Sequence, residues 1–557
     1  MFRKLLYSAF GVMGAREVRA FDEESKNAQE SQLQRLLQIV APNANTAYGR
    51  AHSFSAIKTI SDFQRAVPIN VYDSIQPYIE RAANGEREVL TAEQPIMFAT
   101  TSGTTGARKL IPITPSYVKE FRRASVVSGF TLLKNFPGIS RGVTLSVFSP
   151  AEESRTAAGI PCGAISGRLY LEEPKLIKKF VSPLPYELFL IDDYESRYYS
   201  ILRCALMLPI STIYTLNPST IVLLGRRLSQ YADRLIADIE RGTFTPPGKV
   251  SPQIETALAA FMKADARRAQ ELRALQRLDN FTPEKVWNQL SLISCWTRAA
   301  AAFYLKDFPQ YYGNVPVCDI TYGASEGRGT VCVGRDKQAL AIRSHFFEFV
   351  PEEEIDSANP RALIADELEV GKSYYILFTT SGGLFRYNIN DIVKVVGWHN
   401  QIPLLEFQHK GGNISSFTGE KVTESQVTDA VRATMAATGC SVRFFTVVPQ
   451  FRPEPHYDLW VEFESISGIS SDPEVKLRDM AAQFDRQMGL KNIEYLAKRE
   501  SQRLAPATAR LLPGGTYDQL RRNLVAQGVP DAQIKVSHLN PKDEVKATLE
   551  SALVAPV

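Results

Sequence analysis

An α/β architecture with a smaller α/β unit at its C-terminal end is the fold class this sequence predicts. Short apolar runs rich in Val, Ile and Thr alternate with longer runs of helical period from about residue 96 onward. Ahead of them, residues 1 to about 92 read mainly as helices punctuated by turns such as Pro42-Asn-Ala-Asn45. Past the Gln-His-Lys-Gly-Gly stretch at 408–412, a short helix–strand–strand–helix series begins afresh. At 557 residues, 44% hydrophobic and 22% charged, the chain has apolar material for more than one packed core and is not compositionally disordered.

Taken in order, the elements start with Met1–Gly14, where an apolar run of about ten residues follows Arg3 and Lys4. It is too short to span a bilayer, and Gly14-Ala-Arg-Glu-Val-Arg is a poor cleavage site. An amphipathic first helix is expected instead. Strands are expected at 143–148, 290–295 and 315–321, with half-buried helices at 197–211 and 221–241. The stretch 245–288 is helical, charged in its middle and ends at Trp287, which reads as a surface excursion. After the glycines near 411, a helix at 420–436, strands at 442–448 and 457–463, and a helix at 473–488 complete a small domain. The expected division is therefore 1–410 and 411–557, with Lys410 to Gly412 as a hinge. There is no internal repeat.

Net charge is +4, from 64 Lys+Arg against 60 Asp+Glu, with no block of five or six like charges. That leaves no electrostatic footprint for a nucleic acid. The six cysteines are scattered with no C-x-x-C, so neither a zinc site nor a disulfide framework is indicated, and a reducing cytoplasm fits. The six histidines show no ligand spacing, and no Ser-His-Asp or Cys-His set is visible.

Chemistry concentrates in three places. In Phe98-Ala-Thr-Thr-Ser-Gly-Thr-Thr-Gly-Ala-Arg-Lys-Leu-Ile-Pro-Ile-Thr114, a Ser/Thr/Gly loop closed by Lys109 lies between strand-like flanks. Small residues let backbone N–H groups approach an anion closely, and a terminal cation completes a phosphate cradle. The spacing is neither a Walker A loop nor a dinucleotide fingerprint. In Asp319-Ile-Thr-Tyr-Gly-Ala-Ser-Glu-Gly327, a strand runs into a small-residue turn ending in Glu326, a carboxylate suited to Mg²⁺, with Tyr322 placed to stack on a purine. In Thr379-Thr-Ser-Gly-Gly-Leu-Phe-Arg-Tyr-Asn-Ile-Asn-Asp-Ile-Val393, Asp391 is fixed between strand-like runs and is suited to accept both hydroxyls of a ribose. Each alone also reads as an ordinary turn.

The three together, in this order and followed by a small domain, resemble the adenylate-forming superfamily. Within it the chain is similar to the Gretchen Hagen 3 (auxin-responsive) acyl-acid amido synthetases, particularly bacterial-type members. Thr101–Lys109, Tyr322–Glu326 and Phe385–Asp391 match that family's three motifs, and Asn45–His52, Val67–Tyr72, Pro77–Arg81, Asn217–Thr220 and Gly419–Glu424 extend the match along the chain. The resemblance implies a large N-terminal adenylation domain with mixed β-sheets flanked by helices, plus a small mobile α/β lid. It implies ATP and Mg²⁺, a small carboxylic acid and an amino acid as substrates, and a cytoplasmic monomer. Thr101, Ser102, Gly103, Thr104, Thr105 and Lys109 would hold the phosphates. Tyr322, Gly323, Ala324 and Ser325 would border the adenine and acyl group. Glu326 would bind Mg²⁺ and Asp391 the ribose. Lys421 would contact the nucleotide phosphate or the acyl-adenylate, and Lys535 would swing over the phosphates during adenylation. Tyr117, Arg122 and Arg123 lie where the family lines its acid pocket.

Two departures stand out. Asn388 and Asn390 replace the Arg and Gly of the family's Tyr-Arg-x-Gly-Asp, although Asn tolerates a left-handed backbone and should preserve the turn. Ser537-His538 replaces a Pro-Arg after Lys535. Three functions therefore stay open: an amido synthetase using an amino acid, an adenylating enzyme passing its acyl group to CoA, a carrier thiol, an alcohol or another amine, and a silent nucleotide-binding scaffold.

Overall fold

The computed structural model describes residues 2–101, 109–298, 304–355, 357, 359–411, 414–415, 420, 422–450, 454–464, 473–500, 504–531, 534–541 and 543–553. Two compact units emerge, one from Met1–Thr297 with Tyr304–Phe407, the other taking in Gln408–Val557.

Helices open the first unit, at Phe2–Ser25, Ala28–Val40, Ala47–Ala51, Ile60–Ala66 and Tyr72–Ala83. Their starts follow from local chemistry. The Thr46 hydroxyl accepts the Gly49 N–H, and Thr59 with Asp62 forms a reciprocal capping box. The first helix packs on the Pro115–Asn135 helix, where a Cβ at Gly14 would lie 2.6 Å from the Phe130 side chain.

Four strands, Val143–Val147, Ile210–Thr215, Leu292–Cys295 and Val317–Asp319, lie in that order with every pair parallel. A parallel sheet is covered on both faces, and Leu145, Ile213 and Ile293 are fully buried. Its carboxyl ends share one edge, where Phe148, Trp296 and Ile320 follow the strands. In such sheets that edge is where ligands bind.

The helical period read over 197–211 stops short: the helix is Tyr194–Ala205, and Ile210–Thr215 is a strand. Pro209 cannot continue the helix, and the β-branched Ile210, Thr212, Ile213 and Thr215 suit a buried strand. The run at 221–241 is two helices, Pro218–Gln230 and Ala232–Arg241, either side of Tyr231. Nor is 245–288 a surface excursion. Leu258, Ala269 and Leu272 are fully buried, and the Trp287 indole N–H donates to the Ala205 carbonyl at 3.1 Å. Charges cluster in its middle, but Leu258, Ala269 and Leu272 still turn inward, while Leu278 is left exposed.

A six-stranded sheet follows, in the order Phe346–Pro351, Ser373–Thr379, Tyr387–His399, Ile402–Lys410, Gln338–Leu340, Thr330–Cys332. The register shifts between the second and third of these strands: Tyr375 opposes Ile392 and Leu377 opposes Asn388, so Ile389–Asp391 bulge opposite Ile376. A further sheet holds the hairpin of Met97–Thr101 and Lys109–Ile113, with Thr101 opposite Lys109, and the first of these strands also pairs in parallel with Pro161–Gly163. The flanks of the Ser/Thr/Gly loop are strands, as expected; residues 102–108 lie outside the described residues.

In the second unit, Val442–Gln450, His456–Phe463 and Thr508–Leu511 form a sheet accompanied by the helices Glu424–Thr438, Pro473–Lys491 and Thr516–Ala526. All six cysteines are free thiols. No described helix is long and apolar enough to cross a membrane.

Candidate active site

The turn at the end of the parallel sheet is fastened from several sides. Asp319, closing the last strand, accepts the Thr297 N–H at 3.0 Å and the Gln338 amide at 2.9 Å, which ties neighbouring strand ends together. The Tyr322 N–H donates to Thr330 Oγ1 at 2.8 Å. The Tyr117 hydroxyl donates to the Ser325 carbonyl at 2.8 Å, and the Arg328 N–H donates to His345 Nε2 at 3.0 Å. Close approach requires glycine at two points: a Cβ at Gly327 would lie 2.5 Å from the Phe378 ring, and one at Gly329 would lie 2.2 Å from Tyr322.

Behind the turn lies a buried ionic cluster. Glu120, on the Pro115–Asn135 helix, bonds to Arg35 and to the Ser381 hydroxyl, and His345 Nδ1 stands 3.5 Å from its other oxygen. Burial raises the Glu120 carboxyl, but the bonds to His345, Arg35 and Ser381 outweigh it and hold it below its ordinary value. Burial, helped by the Arg35 charge, lowers the His345 imidazole against the opposing pull of Glu120. Because Nε2 accepts the Arg328 N–H, a neutral ring carries its proton on Nδ1, the nitrogen that faces Glu120 Oε2 at 3.5 Å.

Asp391 rises from the bulge and accepts the Tyr322 hydroxyl at 2.7 Å. Asn390 beside it has φ 64°, so the expected left-handed turn survives the loss of glycine, and its N–H donates to Asn388 Oδ1 at 2.8 Å. One expectation is corrected here. Tyr322 has no free face for a purine, since Phe407 stacks at 5.6 Å between centroids and 12° between planes, while Gly329 closes on the ring as well. Its hydroxyl, not its face, works in this arrangement, by holding Asp391. Burial, and then the Asp391 charge, drives that hydroxyl far above its ordinary pKa, so it stays a donor.

Glu326 is half-buried, and its charge raises the hydroxyls of Tyr117, Tyr322 and Tyr387 beyond what burial does. Gly323, Ala324 and Ser325 complete the turn between Tyr322 and Glu326. Among the described residues, no group of three or more His, Cys, Asp or Glu is close enough to cage a metal. One carboxylate on an open turn still fits Mg²⁺, which keeps most of its shell as water and substrate phosphate.

Other expected residues are dispersed. Lys109 closes the hairpin with Nζ 5.1 Å above the Tyr72 ring. Arg122 pairs with Glu172 at 2.8 Å and is 47% exposed, and Arg123 is half-buried on the same helix. Thr101 ends its strand opposite Lys109. Ser102, Gly103, Thr104, Thr105 and Lys421 lie outside the described residues. Lys535 is exposed in the second unit. Sequence reasoning missed Phe121, Tyr214, Arg328 and His345. Arg328 stands two places after Glu326 and was legible as a charge in a turn of small residues; the other three carry no local signal.

Family profiles match most of the chain: the GH3 family N-terminal domain over residues 17–317, its central domain over 338–410 and its C-terminal domain over 425–544. The probable indole-3-acetic acid-amido synthetase GH3.1 of Arabidopsis thaliana is 24% identical, covering 97% of this chain and 94% of that protein. The jasmonoyl--L-amino acid synthetase JAR6 of Nicotiana attenuata is 26% identical, covering 94% and 93%. Among solved structures, the GH3.15 acyl acid amido synthetase superposes with a TM-score of 0.84 at 20% identity, over 96% of this chain and 95% of that one. A 2-hydroxyisobutyryl-CoA ligase in its postadenylation state shares the fold more distantly, with a TM-score of 0.50 at 12% identity over 94% and 91%. With its mixed α/β fold that of the adenylate-forming ligases, the chain belongs to the GH3 family.

Proposed function

We propose that this chain is an ATP-dependent ligase that joins a small carboxylic acid to an amino acid. The observation that carries the reading is the pairing of Asp391 with Tyr322, four residues before Glu326, at the carboxyl edge of the parallel sheet. Two separate signature segments thereby meet in one place in a member of a family whose relatives are named as amido synthetases.

A carboxylate is a poor acyl donor because its leaving group would be oxide. Attack of a carboxylate oxygen on the α-phosphorus of ATP expels pyrophosphate and leaves an acyl-adenylate. An amine then attacks its carbonyl, AMP departs with the bonding pair, and the amine proton passes to solvent or a nearby base. Each residue's part is mainly positioning and electrostatics. Asp391, held by the Tyr322 hydroxyl, accepts the ribose hydroxyls. Gly323, Ala324 and Ser325 leave room for adenine and acyl group. Ser102, Thr104 and Thr105, with Thr101, Gly103 and Lys109, line the triphosphate. Glu326 would hold Mg²⁺, which when bound would neutralise phosphate charge. Lys535 serves adenylation and Lys421 the adenylate. No covalent enzyme intermediate is needed.

The test is pyrophosphate release from ATP and Mg²⁺ with a panel of carboxylic acids, with and without pooled amino acids. Acid-dependent release that rises with amino acids and falls at least about 100-fold in Glu326→Ala is expected. Release indifferent to amino acids would assign another acceptor.

A further inference from the structure

We propose that Arg328 is an anion subsite in the acid pocket, and that the acid this chain activates carries a second carboxylate. The inference rests on the adenylation reading above and adds a substrate class to it.

The Arg328 backbone is fixed by His345 and by a bridge across the turn to Gly323. Its guanidinium carbon lies 5.1 Å over the Phe121 ring, and Tyr214 shares a hydrogen bond with it. The residue keeps part of its surface, yet its Nε is sealed from solvent with no hydrogen-bond partner. Among the described residues no carboxylate forms an ion pair with it; its side-chain neighbours are the Phe121 ring and the Tyr214 hydroxyl. The nearest buried carboxylate on the adjoining helix, Glu120, is already engaged by Arg35, Ser381 and His345. Arg386 and Arg521 face Glu348 and Asp531, while Arg203, buried without an ion pair, is met by the carbonyls of Asp238, Thr243 and Phe261.

A desolvated cation is costly unless an anion or polar groups meet it. Here the surroundings are aromatic: Phe121, Tyr214, and Phe148 with its ring 6.1 Å from that of Tyr214. These follow or flank the carboxyl ends of the parallel strands. An apolar wall with one unmatched cation suits an apolar body bearing an anionic group. That group is not the reacting carboxylate. A guanidinium paired to the reacting oxygens would engage the lone pair needed for attack on phosphorus. Adenylation would then remove the charge and leave Arg328 unmatched through the second half of the reaction. A spectator carboxylate keeps its partner throughout.

The test compares matched pairs, terephthalate against 4-methylbenzoate and 1,4-phenylenediacetate against 4-methylphenylacetate, in wild type and Arg328→Met. Pyrophosphate release and the melting temperature with each acid are both read. In wild type the diacid of a pair is expected to be the better substrate. In Arg328→Met its kcat/KM should fall about 100-fold while the matched monoacid stays within about threefold. Without ligand, Arg328→Met should melt no lower than wild type. Preference for monoacids, equal losses for both members of a pair, or a ligand-free variant melting more than about 2 °C lower would overturn the proposal. If wild type releases pyrophosphate with no acid of any kind, the adenylation reading fails instead. The melting arm then still decides the subsite, because a diacid-induced shift present in wild type and lost in the variant supports it, and its absence from wild type refutes it.

Discussion

At the scale of single residues, the third signature segment shows how a departure from a family pattern is absorbed. Asn390 occupies φ 64°, a conformation that suits Gly or Asn and penalises a β-branched side chain. Asn390→Gly is expected to fold with stability within about 0.5 kcal/mol of wild type. Asn390→Val should lose about 1–2 kcal/mol and, by shifting the bulge under Asp391, raise the KM for ATP. Urea unfolding of the two variants, with ATP titration of each, checks this. A Val variant as stable as the Gly variant would show that the left-handed turn does not matter here. This was legible in sequence because the requirement is local: Asn tolerates what the turn demands. The orientation of Tyr322 was not legible, because Phe407 and Gly329, which enclose its ring, are distant or unremarkable in the chain.

Between elements, the cluster linking the Ala28–Val40 and Pro115–Asn135 helices to the signature turn sets a pH dependence. His345 has its pKa lowered from 6.5 by burial. Between that folded value and 6.5 the unfolded chain binds a proton that the folded chain does not, so stability falls as pH drops below about 6.5. Glu120, held below 4.5, adds a further loss only below that pH. The His345 contribution is at most about 1.4 kcal/mol per pH unit. His345→Gln should therefore flatten the fall in melting temperature between pH 7 and pH 5.5, whatever it does to the absolute value. Parallel curves for the two proteins would contradict this. Alternation of strand and helix patterns made the α/β class readable, and the strands at 143–148, 290–295, 442–448 and 457–463 were placed within a few residues. Ile210–Thr215 was hidden by the helical period running up to it, and 245–288 by charges that masked its buried Leu258 and Leu272.

At the scale of the whole molecule, Lys535 is proposed to serve the first half-reaction. Lys535→Ala should lower acid-dependent pyrophosphate release about 100-fold while sparing transfer from a supplied acyl-adenylate to an amine, since that lysine is assigned to the first half-reaction only. Equal loss in both halves would remove the assignment. The motifs that identify adenylation are continuous stretches and so were readable as text. The proposed anion subsite draws on Phe121, Tyr214 and Arg328, brought together only by folding, and no single stretch announces it. The most direct measurement is mass spectrometry of one incubation containing ATP, Mg²⁺, the acid pairs and pooled amino acids, in wild type and Glu326→Ala. An acyl–amino acid amide formed with AMP by wild type and absent from the variant is the predicted result. Pyrophosphate or AMP formed without any amide, or an amide formed equally by both proteins, would contradict the account.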